Sequence, residues 1–314
     1  MSVAERAAEI PGGLAAERGP RKKSRFAQTW WRHAVALFAI VISLFPVVYV
    51  LSAAFNGNNS LTGSTLIPKK LTLDNFRALF GHQKVVAGHA TFAGAHYAAW
   101  FANSMIVAGG TAICTILLSA AAAYAFSRFR FRGRRVGMLM LLLIQMFPQL
   151  LAVVAIYLIV YNVGSIFHII GLNTLTALIV VYLGGAMGVN TWLMKGFFDT
   201  IPAELDESAR VDGATPAQVF WGVVLPLAAP VLAVIGLITF ITALNDFAIA
   251  SVILETQHKF TLSVGLRQYI DQEYSEHWGP FAAGVLIAAV PAGLLFTFLQ
   301  RFIVEGLTQG AVKG

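Results

Sequence analysis

The chain has 314 residues, of which 57% are hydrophobic and only 12% are charged, whereas a soluble domain carries about 25% charged residues. This composition excludes an ordinary water-soluble globular domain and predicts a protein embedded in lipid. The net charge of +7 is carried largely beside apolar segments and not on a basic, aromatic surface, which argues against nucleic-acid binding.

Six apolar segments are each long enough to cross a hydrocarbon layer of about 30 Å as a helix. They are residues 34–55, 101–126, 136–160, 174–194, 227–253 and 281–304. The single cysteine, Cys114, lies in the second segment, so the chain can form neither an internal disulfide nor a cysteine-based metal cluster. We predict an all-α polytopic membrane domain over 34–304, with an N-terminal extension at 1–33 and a C-terminal tail at 305–314.

Basic residues are distributed unequally between alternate loops. Residues 1–33, the loops 128–135 and 195–226, and the C-terminal end hold 16 of the 22 Lys and Arg residues. By the positive-inside rule, this distribution predicts a multi-pass inner-membrane protein with both termini in the cytoplasm. The basic loop 128–135 is a topology signal in this interpretation, and a site for a partner protein is the alternative.

The cytoplasmic loop 201–226 has the signals of a short helix. Pro202 suits the first helical position, and acidic side chains follow it where the helix dipole favours negative charge. Asp206 is placed to pair with Arg210 one turn later. Because Gly213 can take the left-handed conformation that ends a helix, we predict a helix over 202–213.

A second helix is predicted directly after Gly213. Thr215 suits the N-cap, Pro216 the first helical position and Gln218 the position that completes a capping box. A helix, a tight turn and another helix form a rigid element on which a partner protein can push. The alternative is a connector on the lipid surface, but such helices are usually rich in Lys and Arg, and this segment is net acidic.

The same loop contains Glu207-Ser208-Ala209, then Asp212-Gly213-Ala214 and Leu225-Pro226. By these residues it resembles the EAA loop of ABC importer permeases, which docks on the ATPase subunit as a coupling helix. Glu207, Ser208 and Ala209 stand where the family has Glu-Ala-Ala, and Ser208 is the one departure in the core of the motif. The family's Asp-Gly-Ala and Leu-Pro follow at the expected offsets. By this resemblance, the residues assigned to ATPase coupling are Glu204, Glu207, Ser208, Ala209, Asp212, Gly213, Ala214, Leu225 and Pro226.

A wider resemblance extends from residue 71 to the C terminus. Segments 71–76, 123–126, 145–148, 171–174, 182–185 and 306–314 look like the smaller membrane subunit of maltose/maltodextrin importers. This family implies a type I ABC importer permease fold and a substrate such as maltose, a maltodextrin or trehalose. It also implies a MalF-like second permease subunit, two MalK-like ATPase subunits and an extracytoplasmic sugar-binding protein.

The sequence contains neither a Gly-x-x-x-x-Gly-Lys-Ser/Thr phosphate loop nor a cluster of catalytic residues, so we expect a transport subunit and not an enzyme. No cofactor or metal is expected on this chain, and ATP with magnesium belongs to the partner ATPase subunits. The competing class is an ion-coupled secondary transporter, which normally has two repeated halves and ionisable residues at mid-membrane. No internal repeat is evident, and Asp246 is the one ionisable candidate well inside a predicted span.

Polar residues inside the predicted spans are candidates for a substrate path. Asn245 and Asp246 interrupt the fifth apolar segment, where they either line the sugar path or brace a neighbouring helix. Gln145 and Asn190 are expected to form hydrogen bonds between helices. In the resembling family, most sugar contacts come from the other membrane subunit.

The extracytoplasmic loop 255–278 contains a second candidate contact. Part of it resembles a maltose-permease loop that reaches into the sugar-binding protein, and a plain connector is the alternative. The residues concerned are Thr261, Leu262, Ser263, Val264 and Gly265.

Overall fold

The computed structural model describes residues 25–57, 68, 71–81, 84–86, 89–91, 96–270 and 277–311. The α-helices in this part of the chain are α1 (Arg25–Phe55), α2 (Asp74–Leu79), α3 (Tyr97–Arg128), α4 (Arg134–Gln145), α5 (Gln149–Ile166), α6 (Leu175–Phe198), α7 (Ala203–Val211), α8 (Pro216–Val219), α9 (Leu225–Leu227), α10 (Ala229–Asn245), α11 (Ala248–Ile253), α12 (Leu262–Arg267) and α13 (Trp278–Ala311). A π-helical turn, Phe220–Val224, connects α8 to α9, and His168–Ile170 and Gln257–Lys259 are short 3-10 helices. The predicted all-α fold is confirmed with one small exception, since strands β1 (Lys84–Val86) and β2 (His89–Thr91) form an antiparallel pair.

The chain divides into two compact units, residues 1–49 and 50–314. In the first unit, residues 1–24 of the predicted extension lie outside the described residues, and α1 already begins at Arg25. The large apolar side chains of α1 between Trp30 and Val48 are exposed. Such a surface suits lipid, because a helix satisfies its own backbone hydrogen bonds and can present apolar side chains to the hydrocarbon.

Five helical segments in the described part of the chain are long and apolar enough to cross a membrane. They are Thr29–Phe55, Tyr97–Arg128, Gln149–Ile166, Leu175–Phe198 and Trp278–Phe302. A bent pair of segments, Pro216–Leu227 and Ala229–Asn245, passes the same test with an angle of 78° between its parts. Counted as one span, this pair brings the total to six, which is the predicted number.

The third predicted span, 136–160, is wrong as a single helix. The structure has two helices there, α4 and α5, which are separated by Met146, Phe147 and Pro148. Proline has no backbone N–H and disfavours the helical conformation in the residue before it, so the helix stops and restarts. α5 then continues to Ile166, beyond the predicted end.

The fifth predicted span, 227–253, is also wrong as a single helix. α10 ends at Asn245, and the short α11 begins two residues after Asp246. Oδ1 of Asp246 accepts hydrogen bonds from the amides of Ile249 at 3.1 Å and Ala250 at 3.2 Å. A short polar side chain that bonds nearby amides offers the backbone an alternative to continuous helix, which explains the break.

The last helix is longer than the sequence-based boundary at residue 304. α13 runs without a break from Trp278 to Ala311, so residues 305–311 of the predicted tail continue the helix. Residues 312–314 lie outside the described part of the chain.

Two apolar clusters hold the second unit together. The larger lies among α3, α6, α10, α12 and α13 and includes Tyr97, Trp100 and Leu178, each at most 3% exposed. The smaller joins the ends of α3 and α6 to α8, with Phe198 and Val219 fully buried. This second cluster anchors the 201–226 loop on the spanning helices.

Asn75 fixes α2 to the chain that follows α1. Its side chain is 4% exposed, and its Nδ2 donates to the carbonyl oxygens of Ala54 at 2.9 Å and Asn56 at 2.8 Å. α13 packs closely on the same side chain at Gly279, where an added Cβ would lie only 2.5 Å from Oδ1 of Asn75. One amide therefore joins three segments that are distant in sequence.

We expect Asn75→Leu to destabilise the protein by about 1–3 kcal/mol, because it removes both hydrogen bonds that the buried Asn75 amide donates to the Ala54 and Asn56 carbonyls. Thermal unfolding in detergent, followed by size-exclusion chromatography, measures the effect. Arg77→Ala is the control, since the ion pair of Arg77 with Asp74 is 79% and 75% exposed at its two side chains and contributes little. Equal melting temperatures for the two variants would contradict the assigned role of Asn75.

Candidate functional site

The predicted helix and glycine turn are present in the 201–226 loop. α7 begins at Ala203 and ends at Val211, so Pro202 is the N-cap and not the first helical residue as predicted. Gly213 has a φ of +86°, the left-handed conformation expected from the sequence. The amide of Gly213 donates to the carbonyl oxygen of Arg210 at 3.0 Å, which closes the end of the helix.

The second helix begins with the predicted capping box. The Thr215 hydroxyl accepts a hydrogen bond from the Gln218 amide at 3.4 Å, and Gln218 Oε1 accepts one from the Thr215 amide at 2.8 Å. Pro216 lies in the first turn, where its missing N–H costs nothing. The two helices are thus joined by only a few residues whose backbone is fixed, so α7 and α8 form one stiff element.

Most of the residues predicted to couple to an ATPase face outward. Glu204, Glu207, Ser208, Asp212, Gly213 and Pro226 are exposed, whereas Ala209, Ala214 and Leu225 are half-buried against the smaller apolar cluster. The prediction did not include Leu205, Val211 and Trp221, which are 42%, 87% and 57% exposed beside them. These exposed apolar side chains are available for contact with a partner protein.

The predicted pair of Asp206 with Arg210 is wrong. Its carboxylate is turned inward, is 3% exposed and accepts a hydrogen bond from Nε of Arg128 at 2.8 Å. Arg128 lies in the last turn of α3, and its Nη2 donates to the carbonyl oxygen of Ile201 at 2.9 Å. The prediction that loop 128–135 serves only as a topology signal therefore missed the structural role of Arg128.

A second polar contact lies beside this ion pair. Ser127 Oγ donates to Oδ1 of Asp199 at 2.7 Å, and Lys195 pairs with the same carboxylate. Partial burial raises the pKa of Asp199, but the hydrogen bonds from Lys195 and Ser127 and the charge of Lys195 lower that pKa by more, to below its ordinary value. We call Ser127, Arg128, Asp199 and Asp206 the α3 junction.

Asp246 braces a neighbouring helix and also lines a cavity. Its Oδ1 accepts a hydrogen bond from the Tyr182 hydroxyl on α6 at 2.7 Å, besides those from the α11 amides. Its carbonyl oxygen accepts one from Ser263 Oγ at 2.5 Å. The cavity is partly open, has a volume of about 290 Å³ and is lined by residues of α3, α4, α5, α6 and α10. Of the two alternatives that the sequence left open for Asp246, the structure shows the brace to a neighbouring helix, and the cavity is a candidate for the sugar path.

Asn245 faces a different cavity. It is exposed and lines a space of about 360 Å³ between α10, α12 and α13, together with Ser263 and Phe281. The structure therefore does not bring Asn245 and Asp246 together at one point, although they are adjacent in sequence.

Gln145 and Asn190 form the expected hydrogen bonds between helices. Gln145 Nε2 donates to the carbonyl oxygen of Gly185 on α6 at 2.6 Å, and Asn190 Nδ2 lies 3.5 Å from the Thr239 hydroxyl on α10. Both residues also line the cavity of Asp246. No group of three or more His, Cys, Asp or Glu that could hold a metal occurs among the residues with described positions.

The residues predicted to contact a binding protein form the start of α12 and not an exposed loop. Thr261 and Leu262 are each 2% exposed, and Val264 is 7% exposed. The Leu262 amide donates to Ser104 Oγ at 2.7 Å, and a Cβ on Gly265 would collide with the Trp100 ring. Among the described residues of this segment, 255–258 and Arg267 are exposed, so contact through residues 261–265 stays a prediction that requires α12 to move.

Comparisons with known proteins agree with this architecture. The family model described as "Binding-protein-dependent transport system inner membrane component" matches residues 113–309. The maltose/maltodextrin permease protein MalG of Escherichia coli K12 is 39% identical over 294 residues, which cover 93% of this chain and 98% of that protein. The galactooligosaccharide permease protein GanQ of Bacillus subtilis is 36% identical over 293 residues, with the same coverage of 93% and 98%.

Solved structures show the same fold. A chain of a bacterial ABC transporter that imports the acidic polysaccharide alginate matches with a TM-score of 0.72 at 21% identity, covering 90% of this chain and 99% of that one. A chain of the alginate transporter in complex with its pentasaccharide-bound periplasmic protein matches with a TM-score of 0.63 at 17% identity, covering 90% and 96%.

The ion pair of Arg128 and Asp206 in the α3 junction should contribute to the stability of the protein. Asp206→Leu should destabilise the protein by about 3 kcal/mol, because it leaves the Arg128 guanidinium, whose side chain is only 11% exposed, without its carboxylate partner. The double variant Arg128→Met with Asp206→Leu should recover most of this loss, since it leaves no unpaired charge. Thermal unfolding of the single and double variants tests the pair, and a double variant no more stable than Asp206→Leu would contradict it.

Proposed function

The chain belongs to the family of inner membrane components of binding-protein-dependent transport systems and is a permease subunit of an ABC sugar importer, not an enzyme. From this we propose that it carries maltose, maltodextrins or a related α-glucoside such as trehalose. The support is the 39% identity to a maltose/maltodextrin permease over almost the whole chain. The 36% identity to a galactooligosaccharide permease makes those sugars the second candidate.

In this proposal the 201–226 loop is the coupling element, and the observation that carries it is the geometry of α7 and α8. The two helices are joined by a fixed glycine turn, present an exposed outer face and are tied to α3 through the buried pair of Asp206 and Arg128. Two MalK-like ATPase subunits bind ATP with magnesium and push on this face when they close. Because α7 is anchored on its inner side, α3 and α6 tilt with it.

The remaining partners follow from the same proposal. A MalF-like permease subunit supplies the other half of the path, and Asn245 and Asp246 line this chain's half from two separate cavities. Both termini lie in the cytoplasm. An extracytoplasmic sugar-binding protein first meets residues 255–258, which are exposed, and reaches residues 261–265 after α12 moves away from α3.

We expect Gly213→Val to lower sugar uptake about tenfold or more and to weaken retention of the ATPase subunits. A Cβ at Gly213 would meet nothing within 4 Å, so the effect comes from the φ of +86°, which is unfavourable for any residue with a Cβ and most of all for a β-branched one. Uptake of labelled maltose into cells and co-purification of the ATPase in detergent measure the two effects.

Two control variants separate coupling from general strain. Gly213→Asn should keep most of the uptake, because asparagine tolerates the left-handed conformation. Gly133→Val places the same strain at a φ of +87° outside the coupling loop and should retain the ATPase subunits. If Gly213→Val retained wild-type uptake, the assignment of the coupling loop would be wrong.

The proposed substrate is tested with the cognate binding protein and the reconstituted importer. We expect maltose or maltotriose to stimulate both ATP hydrolysis and uptake, and galactooligosaccharides to stimulate neither. Phosphate release by the reconstituted importer and labelled uptake into proteoliposomes measure these responses, and isothermal titration of the binding protein shows which sugar it binds. Stimulation by galactooligosaccharides alone would replace the first candidate by the second.

A further inference from the structure

We propose that the cavity lined by Asp246 is a subsite for one ring of a neutral sugar, which this chain itself supplies to the transport path. Its polar lining includes Gln145, Gln149, Asn190, Thr239, Thr242 and Asp246. The inference rests on the proposed sugar-importer function and adds where, and by which groups, this subunit holds its substrate.

The cavity lies at mid-depth in the membrane-spanning helices. Gly185, which lines it, is ten residues after the start of α6, or about 15 Å along a helix of 24 residues. At this depth a wall that faces lipid should be apolar, because unpaired polar groups in hydrocarbon cost several kcal/mol each. The concentration of amides, hydroxyls and a carboxylate is therefore better explained by a polar occupant.

The lining groups have unused hydrogen-bonding capacity. Gln145 uses its Nε2 on the Gly185 carbonyl, which leaves its oxygen available as an acceptor. The Gln149 side chain is exposed, and its Nε2 would lie 3.7 Å from a Cβ added at Gly185. The Thr111 hydroxyl, in a residue that is 1% exposed, has no hydrogen-bond partner among the described residues although it lines the same space.

Asp246 is held in a fixed orientation by its neighbours. Three donors bind the same oxygen, Oδ1: the Tyr182 hydroxyl and the amides of Ile249 and Ala250. The other oxygen, Oδ2, accepts no hydrogen bond from the part of the chain that the structure describes. A carboxylate oxygen fixed in this way accepts strong hydrogen bonds from hydroxyl groups.

The charge of the lining selects against anionic sugars. Among the thirteen described lining residues Asp246 is acidic and none is Lys, Arg or His. A uronic acid would place a second negative charge near Asp246 with no cation to offset it, in a region where water screens charges poorly. The volume of about 290 Å³ is at the lower limit of sites for drug-sized ligands, which fits a single ring better than an oligosaccharide.

The first test uses the intact importer in proteoliposomes with its binding protein and labelled maltotriose. Asn190→Leu removes one amide from the cavity and should lower the sugar transported per ATP hydrolysed about five- to tenfold. Asp246→Asn keeps an acceptor for Tyr182 and the α11 amides but replaces the free oxygen by a donor, and it should lower the same ratio by at least as much. A merely structural role would lower assembly or ATP hydrolysis without changing this ratio.

Asn162→Leu is the matched control. Asn162 is an exposed amide on α5 whose Nδ2 donates to the Leu158 carbonyl of its own helix, so its loss should leave the ratio unchanged. If Asn190→Leu and Asp246→Asn both transport as many sugars per ATP as the control, the subsite does not exist.

A second measurement reports on occupancy directly. Val189, which lines the cavity and is 43% exposed, is replaced by cysteine in a Cys114→Ser chain of the assembled importer. Maltotriose should slow the reaction of this cysteine with a water-soluble thiol reagent about threefold or more, and digalacturonate should not, because a bound neutral ring shields the thiol while Asp246 repels the acid. The proposal would be overturned if both sugars protected the cysteine equally or if neither sugar protected it. It would also be overturned if membrane lipid already protected the cysteine in the absence of sugar.

The two proposals fail in different ways. If wild-type importer carries galactotriose and not maltotriose, the proposed substrate is wrong, and the variants are then compared with galactotriose as the probe. If wild-type importer carries maltotriose and the cavity variants match Asn162→Leu, the proposed substrate stands and the subsite is rejected.

Discussion

The buried ion pair between Arg128 and Asp206 is the interaction on which the 201–226 loop depends. α7 has nine residues, which is too short for a helix to be stable alone, and its outer face contacts nothing else in the described chain. Its position is therefore fixed from the inner side, where one guanidinium binds the Asp206 carboxylate and the Ile201 carbonyl. Arginine suits this role because its donors are rigid, planar and always charged. Since neither charge can be left alone in the interior, α7 and the end of α3 move as one body.

The same helix connects this attachment to the rest of the structure. α3 has 32 residues, or about 48 Å, and belongs to both apolar clusters. Near its start the Trp100 indole donates to the Gln257 carbonyl at 2.6 Å and packs on α12, and at its middle Thr111 lines the polar cavity. A displacement applied at Arg128 would therefore be transmitted towards the cavity and the α12 region through a single continuous helix. The helix can transmit force in this way because it is packed against other helices along its length and therefore resists bending.

Local signals explain which parts of the 201–226 loop could be predicted. The glycine turn at Gly213 and the capping box of Thr215 and Gln218 form between residues a few positions apart, so the sequence contains all of the partners. The partner of Asp206 is different, because Arg210 one turn away and Arg128, 78 residues earlier, are equally suitable by charge. Only packing decides which face of α7 is buried. The burial of α12 escaped prediction for the same reason, since Gly265 is covered by the Trp100 ring from a distant helix.

The two spans that are not single helices meet at the same place. Gln145 and Gln149 flank the break at Pro148, Asp246 is at the break that ends α10, and all three line one cavity. An apolar run predicts a continuous helix because hydrocarbon requires every backbone group to be paired within the segment. A break at mid-membrane is tolerated only where protein or a polar space satisfies the freed groups, as the Asp246 carboxylate does for the amides of Ile249 and Ala250. The failure of the simple span prediction at two points is therefore itself an argument that this space is polar and used by the protein.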